Sequence, residues 1–184
     1  MPEDPWVPKT VEERLDRVES VQQIQQLPYR YAQALDSRNF DAMVELFIED
    51  VQVGRALHGR EALKRWFGDT MSRFGDSIHF VGNHVIDFDS PEKARGVVYC
   101  HDELEMGGQW NVGFIQYWDE YEKRAGRWYF RRRRLHRWYM VDALERPRHG
   151  ARLGAESENM GVAQLPDAWP SWGRFWKERG QSPR

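Results

Sequence analysis

An aspartate, a tyrosine and two histidines have types and spacing that could support proton transfer at carbon. Asp36 directly follows the apolar stripe of a helix, and Tyr31 belongs to that stripe. A carboxylate at a helix C-terminus is disfavoured by about 0.3–1 kcal/mol, so a donor from elsewhere should offset that cost. The simpler alternative is a surface aspartate at a helix end. An Asp–His pair, however, can fix the imidazole tautomer and stabilise its charged form, which makes a base for a proton next to a carbonyl.

The two histidines fall in neighbouring predicted strands. His79 lies near the start of the first long strand, and strand alternation puts Asn83 on the same face. His101 lies in the second strand, on the face of Tyr99. A tight turn at 90–93 would set His101 opposite about Gly82, which places the two histidines on neighbouring rungs. A single strand histidine is more often structural, whereas two near a carboxylate favour a site.

The N-terminal part of the chain predicts helices. Capping boxes formed by Thr10 with Glu13 and by Ser20 with Gln23 indicate two helical segments, the second bent at Pro28.

Three further elements follow. Asn39 can cap a short helix over 40–48, residues 50–55 are typical of a strand, and a third helix that contains Trp66 runs from Gly59 to near Gly75.

A period of two then dominates the sequence. It predicts four long strands separated by short polar turns, over residues 77–89, 94–106, 109–123 and 127–141. Such turns dictate antiparallel hairpins, so the strands form a meander. Helices first and a long antiparallel sheet afterwards predict an α+β fold, with the sheet curled round the helices.

Composition sets the organisation of the chain. Its 184 residues suit one domain. We predict an extension at 1–10, the domain at 11–142, and an arm at 143–184 that packs on its own domain or on a neighbouring subunit. No stretch is apolar enough to span a membrane, and Cys100 is the single cysteine. With an acidic, proline-rich N-terminus, these features favour the cytoplasm.

Charge and motifs exclude several kinds of partner. Lys and Arg number 27 against 29 Asp and Glu, without the basic excess of a nucleic-acid binder. A basic run at 131–137 is interpreted as cross-strand pairing with Asp119, Glu120 and Glu122. Metal-ligand spacings, GxSxG, P-loop and GxGxxG patterns do not occur, so we expect neither a metal nor a cofactor.

Four segments resemble the SnoaL-like branch of the nuclear-transport-factor-2-like superfamily: RYAQALDSRNFDAMVELFIEDV, GREALKRWF, IHFVGNH and YWDEYEKRAGRWYFRRR. The likeness covers roughly residues 11–142. It implies a cone-shaped, curved antiparallel sheet wrapped around three helices, with a deep apolar pocket. It also implies a homotrimer or a dimer.

Within that superfamily the chain is similar to scytalone dehydratase and to hexachlorocyclohexane dehydrochlorinase. Asp36 and His79 match their His–Asp pair, and His101 resembles the second histidine of the dehydratase. Tyr31 resembles the pocket tyrosine of bile-acid dehydratases and ketosteroid isomerases. Arg133 corresponds to a pocket arginine of the dehydrochlorinase, although strand register leaves Arg132 equally possible.

The resemblance implies a cofactor-independent dehydratase. His79 would remove the proton, Tyr31 would donate to the enolate oxygen, and His101 would assist the departing hydroxyl. Abundant aromatic residues favour a hydrophobic, steroid- or polyketide-like substrate.

The candidate substrate-contacting residues are Asn83, Arg133, Trp66 and Tyr99. The alternatives are a double-bond isomerase or cyclase with the same base, and a non-catalytic ligand-binding protein similar to the small subunit of ring-hydroxylating dioxygenases.

Overall fold

The fold is an α+β arrangement in which N-terminal helices precede a curved antiparallel sheet, as the sequence predicts. The structure, a computed structural model, describes residues 5–144, 164–165 and 167–180. The helices are α1 (Val11–Asp36), α2 (Phe40–Val44), α3 (Arg60–Met71) and α4 (Pro170–Glu178). The strands are β1 (Gln52–Val53), β2 (Leu57–His58), β3 (Ser77–Ser90), β4 (Lys93–Met106), β5 (Gln109–Arg124) and β6 (Arg127–Asp142).

The first helix is continuous, so the prediction of two segments is wrong. The Thr10 and Glu13 capping box opens α1 as predicted. Ser20, by contrast, lies inside the helix and is buried, where its hydroxyl accepts a hydrogen bond from Lys123. Pro28 is also buried within α1. Packing against the sheet therefore outweighs the local signals for a break, since tertiary burial supplies most of a helix's stability.

The helix and the strand that follow α1 are each shorter than predicted. Asn39 caps α2 by accepting from the backbone N–H of Ala42 at 3.1 Å, but the helix ends at Val44. The chain then turns to pair with β6, where the N–H of Ile48 donates to the carbonyl of Phe130 at 3.0 Å. The predicted strand over 50–55 is a two-residue strand, β1, hairpinned to β2.

The long strands form one sheet in the order β3-β4-β5-β6, antiparallel throughout. Its register shifts between Val81 and His84 in the β3–β4 pairing, and Gly82 lies in this bulge. The shift exchanges the faces of the strand, so His84 rather than Val85 points inward beyond the bulge. Bulges of this kind curl the sheet around the helices.

The concave face of the sheet and the helices enclose an aromatic core. Tyr31 on α1 lies edge-on to four rings at centroid distances of 5.8–6.2 Å, those of Phe47, Phe67, Tyr117 and Phe130. Edge-to-face contacts of this kind add to the apolar area buried. The position of the Tyr31 ring is consequently fixed by these four neighbouring rings.

The described parts of the C-terminal arm pack on β6. Leu165 is buried, and its backbone N–H donates to the carbonyl of Arg137 at 2.8 Å. Trp169, just before α4, packs against Trp138 with ring centroids 5.2 Å apart. Residues 145–163 lie outside the described residues, and contact of the arm with another subunit stays a prediction. Among the residues that the structure describes, no helix is long and apolar enough to cross a bilayer.

Candidate active site

The end of α1 and the start of β3 bring Asp36 and His79 together. Asp36 Oδ1 lies 2.6 Å from His79 Nδ1, and Asp36 Oδ2 accepts from the backbone N–H of His79 at 2.9 Å. One carboxylate therefore fixes both the ring and the backbone of the same residue. With Nδ1 engaged, Nε2 is the ring nitrogen available to a ligand. Asp36 and His79 are far apart along the chain, and the fold brings the end of α1 next to the start of β3.

A second layer of hydrogen bonds holds Asp36 in place. The hydroxyl of Ser77 donates to Asp36 Oδ1 at 3.0 Å and in turn accepts from Arg38 Nη1 at 2.6 Å. Arg38 takes a positive φ of 57°, which turns the chain back after the helix. Its guanidinium also donates to the carbonyl of Leu35 at 2.8 Å and to that of Gly75. These contacts tie the C-terminus of α1 to the entry of β3.

The charge of Asp36 follows from these contacts. Burial opposes the charge and would raise the pKa of Asp36, but hydrogen bonds from the ring and backbone of His79 outweigh burial and lower that pKa. Asp36 is thus ionised near neutral pH and supports a positive charge on the imidazole. This arrangement suits a histidine that takes up a proton.

His79 lines a cavity of about 450 Å³ between the sheet, α1 and α3. The His79 side chain is 7% exposed, and Asp36 lies behind it at 27% exposure. Most of the wall is apolar or aromatic, including Leu35, Phe47, Leu63, Phe67 and Tyr117. Polar and charged side chains, five of them arginines, complete the lining, so the cavity suits a small ligand that is largely hydrophobic and carries polar groups.

Arg132 and Arg133 both line the cavity, but of the two only the side chain of Arg133 is buried. Its Nε and Nη2 donate to the two oxygens of Asp119 at 2.9 and 2.6 Å, and both side chains are buried. The guanidinium carbon lies 4.4 Å from the ring centroid of Tyr31 and 4.0 Å from that of Tyr117. The predicted cross-strand pairing also occurs on the outer side, where Arg134 is 3.8 Å from Glu120.

A hydrogen-bonded chain continues from this buried pair towards β3. The hydroxyl of Tyr121 donates to Asp119 at 2.9 Å and lies 3.0 Å from His84 Nε2. Burial, aided by the charge of Arg133, lowers the pKa of His84 to about 4. Burial likewise raises the pKa of Tyr31. Near neutral pH His84 is therefore neutral, and Tyr31 is a protonated phenol that can donate.

The predicted site residues separate into two groups. Tyr31, Trp66, His79 and Arg133 line the cavity, and Asp36 holds His79 from behind. The others do not line it.

Strand register and the bulge explain the second group. His101 pairs with Phe80, not with the region of Gly82, and its ring lies 5.0 Å from Phe114 on the outer face. Tyr99 shares that outer face, and Asn83 sits exposed in the bulge. The expectation that these three line the pocket is therefore wrong. On β4 the inward side chains are those of Cys100, Asp102 and every second residue on either side of them.

Asp102 is a buried acidic residue of the cavity wall that the sequence did not single out. It pairs directly with His79 across β3 and β4 and is 3% exposed. The available signal was its alternation with Val98 and Cys100. Within the described residues, no group of three His, Cys, Asp or Glu side chains could hold a metal ion.

Fold and site together define a class: a cone-shaped α+β domain whose curved sheet and helices enclose an apolar cavity with an Asp–His pair at its wall. The sequence model of the SnoaL-like domain matches residues 16–134, and the chain belongs to this family.

The chain is also similar to a protein of known sequence. The uncharacterized protein Rv2910c of Mycobacterium tuberculosis is 28% identical over 131 residues, which cover 67% of this chain and 86% of the relative.

Two solved structures share the fold. A provisionally assigned scytalone dehydratase from Novosphingobium aromaticivorans has a TM-score of 0.62 at 24% identity, covering 71% of this chain and 92% of that one. The hexachlorocyclohexane dehydrochlorinase LinA-type3 from Novosphingobium barchaimii has a TM-score of 0.65 at 23% identity, covering 73% and 99%.

Proposed function

We propose that this protein is a lyase that removes water from a hydrophobic cyclic hydroxy ketone without a cofactor. The observation that carries the proposal is the 2.6 Å contact between Asp36 and His79, with the imidazole at the wall of an apolar cavity. The names of the two similar structures, a dehydratase and a dehydrochlorinase, support it, since both reactions are eliminations.

The first step is removal of a carbon-bound proton. His79 Nε2 takes the proton next to the substrate carbonyl, and the ionised Asp36 stabilises the imidazolium that forms. Because Asp36 also binds the backbone N–H of His79, the ring does not need to reorient during the transfer. This preorganisation lowers the barrier without a change in the protein.

The second requirement is a donor for the oxygen that becomes an enolate. Tyr31 lines the cavity as a protonated phenol, and the Nη1 group of Arg133 has no hydrogen-bond partner within the described residues. Donors aimed at developing charge in a site shielded from water contribute strongly to catalysis. We assign the enolate oxygen to this pair of residues.

The cavity also favours a substrate class. Its volume of about 450 Å³ and its aromatic wall fit fused rings, such as a steroid fragment or a polyketide. Trp66, on α3, is half-exposed and lies at the wall, where it can cover a bound ring.

A screen of hydroxylated ketosteroids and β-hydroxytetralone tests the proposal. Loss of water, detected by mass spectrometry, is expected with the wild type and expected to fall about 100-fold or more in His79→Gln and Asp36→Asn. His58→Gln, at an exposed histidine on β2, is the matched control and should retain full activity.

Other outcomes discriminate the alternatives. A product of unchanged mass indicates an isomerase or cyclase, and thermal stabilisation by these compounds without any product indicates a binding protein. Water loss that survives both variants would rule out the proposed base.

A further inference from the structure

Asp102 is a buried carboxyl at the cavity wall, directly opposite the histidine of the candidate site. It pairs with His79 on β3 and with Gly113 on β5, so the three residues form one rung of the concave face. Only 3% of Asp102 is exposed, and it lines the cavity. Its Oδ1 has no hydrogen-bond partner among the described residues. A buried polar atom without a partner is costly and therefore suggests a ligand.

The sheet leaves room for this carboxyl at Gly113. A Cβ at position 113 would lie 2.7 Å from Asp102 Oδ1 and 2.5 Å from Met140 Cε, closer than such atoms approach in proteins. Any side chain larger than glycine would therefore displace the carboxyl or the methionine. The glycine and the aspartate together shape this part of the cavity.

The surroundings of Asp102 favour its neutral, protonated form. Burial raises the pKa of Asp102, although His79, Arg137 and His101 act in the opposite direction. Cys100, Tyr117 and Tyr139 also interact with its charge; each is neutral at pH 7 by its ordinary pKa, which burial raises further. A protonated carboxyl is a donor, which distinguishes Asp102 from the ionised Asp36.

We infer that Asp102 is the general acid of the proposed elimination and protonates the departing hydroxyl. The inference rests on the proposed function. It assigns to the inward Asp102 the role that the family resemblance implied for His101. His79 and Asp102 then act from adjacent strands on adjacent carbons of one substrate, as base and acid.

The atoms balance over one turnover. His79 takes the proton from the carbon next to the carbonyl, a carbon–carbon double bond forms, and the carbon–oxygen bond breaks. The hydroxyl leaves with the proton of Asp102 as water. Imidazolium and carboxylate then face each other, and transfer of the proton from His79 to Asp102, directly or through water, restores both groups.

Three ketone probes separate the acid from the base. Tetralone tests the base alone, because exchange of its acidic proton with solvent deuterium needs no leaving group. β-Hydroxytetralone needs both groups. β-Acetoxytetralone loses acetate, which departs without protonation and so needs no acid.

Asp102→Asn is expected to slow dehydration of β-hydroxytetralone about 100-fold, and to leave tetralone exchange and acetate loss within about threefold of wild type. Glu103→Gln is the matched control, since it removes a neighbouring carboxylate on the outer face of β4. An equal loss with the hydroxy and acetoxy substrates would overturn the acid role and indicate a structural one.

The outcomes keep the two proposals apart. If tetralone exchange persists in His79→Gln, the proposed base fails, whereas Asp102 is judged by the leaving-group comparison. Infrared difference spectra of wild type minus Asp102→Asn need no substrate. A protonated carboxyl band at pH 7 supports the inference, and its absence overturns it. If none of the ketones is turned over, this band still decides whether Asp102 carries the proton that the inference requires.

Discussion

Asp119 on β5 and Asp36 at the end of α1 each bind a cationic or basic partner with both carboxylate oxygens, yet only one of the two partners can change its charge near neutral pH. Asp119 binds Arg133 at 2.6 and 2.9 Å, and neither side chain reaches solvent appreciably, at 0% and 5% exposure. Asp36 binds the ring and the backbone of His79. Arginine does not give up its proton, whereas histidine changes charge between pH 5 and 8.

The partner of each carboxylate, rather than the carboxylate itself, therefore decides whether the pair stabilises the fold or can transfer a proton. The Asp119 pair is further closed by the hydroxyl of Tyr121 and by aromatic rings that stack on the guanidinium. The Asp36 pair leaves one imidazole nitrogen available at the cavity wall. We therefore expect changes at the Asp119 pair to reduce stability and changes at the Asp36 pair to reduce activity.

The largest effect is expected at His79. His79→Gln should reduce water loss from β-hydroxytetralone by about 10²–10⁴-fold, because an amide cannot accept the proton. Initial rates measure the effect, and thermal unfolding should show a folded protein. Retention of more than a tenth of the rate would mean that the pair is a scaffold, like the one at Asp119.

Next comes the buried ion pair. Asp119→Asn leaves the cation of Arg133 buried without a counter-charge, which should lower the free energy of unfolding by about 3–5 kcal/mol in urea denaturation. The matched control is Glu120→Gln on the outer face, whose partner Arg134 is 3.8 Å away and half-exposed. That change should cost about 0–1 kcal/mol. Equal losses from the two variants would contradict the assigned scaffold role.

Asp36 should contribute less stability, and in a pH-dependent way. Asp36→Asn should lower the free energy of unfolding at pH 7 by about 1 kcal/mol, because hydrogen bonds to a charged group are worth about 1.5–3 kcal/mol and this one is partly exposed. The pKa of Asp36 is lowered by folding, so its stabilisation is present above the unfolded value and disappears as pH falls through the folded value. Unfolding of wild type and variant at several pH values measures the difference. A difference that does not change with pH would contradict this assignment.

Replacing Asp102 should change stability with pH in the opposite direction to replacing Asp36. Burial raises its pKa, so folding disfavours the ionised form, and the cost is absent below the unfolded pKa and grows as pH rises towards the folded value. Asp102→Asn should therefore have a higher Tm than wild type at pH 7, and the gain should vanish in acid. Scanning calorimetry measures it. A gain that is the same at every pH would argue against a titrating carboxyl.

The smallest effect is expected at His101. Its ring lies on the outer face beside Phe114, so His101→Ala should leave the rate within about twofold and stability within about 0.5 kcal/mol. The same assay and urea denaturation measure both quantities. A loss comparable to that of Asp102→Asn would restore the role that the family resemblance implies for His101.

Several features follow from the sequence alone because their causes are local. The capping box at Thr10, the cap at Asn39 and the four long strands occur where hydrophobic period and capping chemistry place them. A carboxylate at the end of a helix needs a donor, which the sequence alone predicts for Asp36, whereas the choice of His79 as that donor was implied by the family resemblance.

Only the tertiary structure decides which strand residues enter the cavity. Side chains alternate with period two, so the bulge after Val81 turns Asn83 out and His84 in. On β4 the residue types favour the wrong face as the concave one, because the residues on the concave face are small: Ala94, Gly96, Val98 and Cys100. Small side chains are needed there because the helices and the rings of neighbouring strands already fill the space. Crowding by distant parts of the chain therefore selects Asp102 over His101, and no local pattern records that crowding.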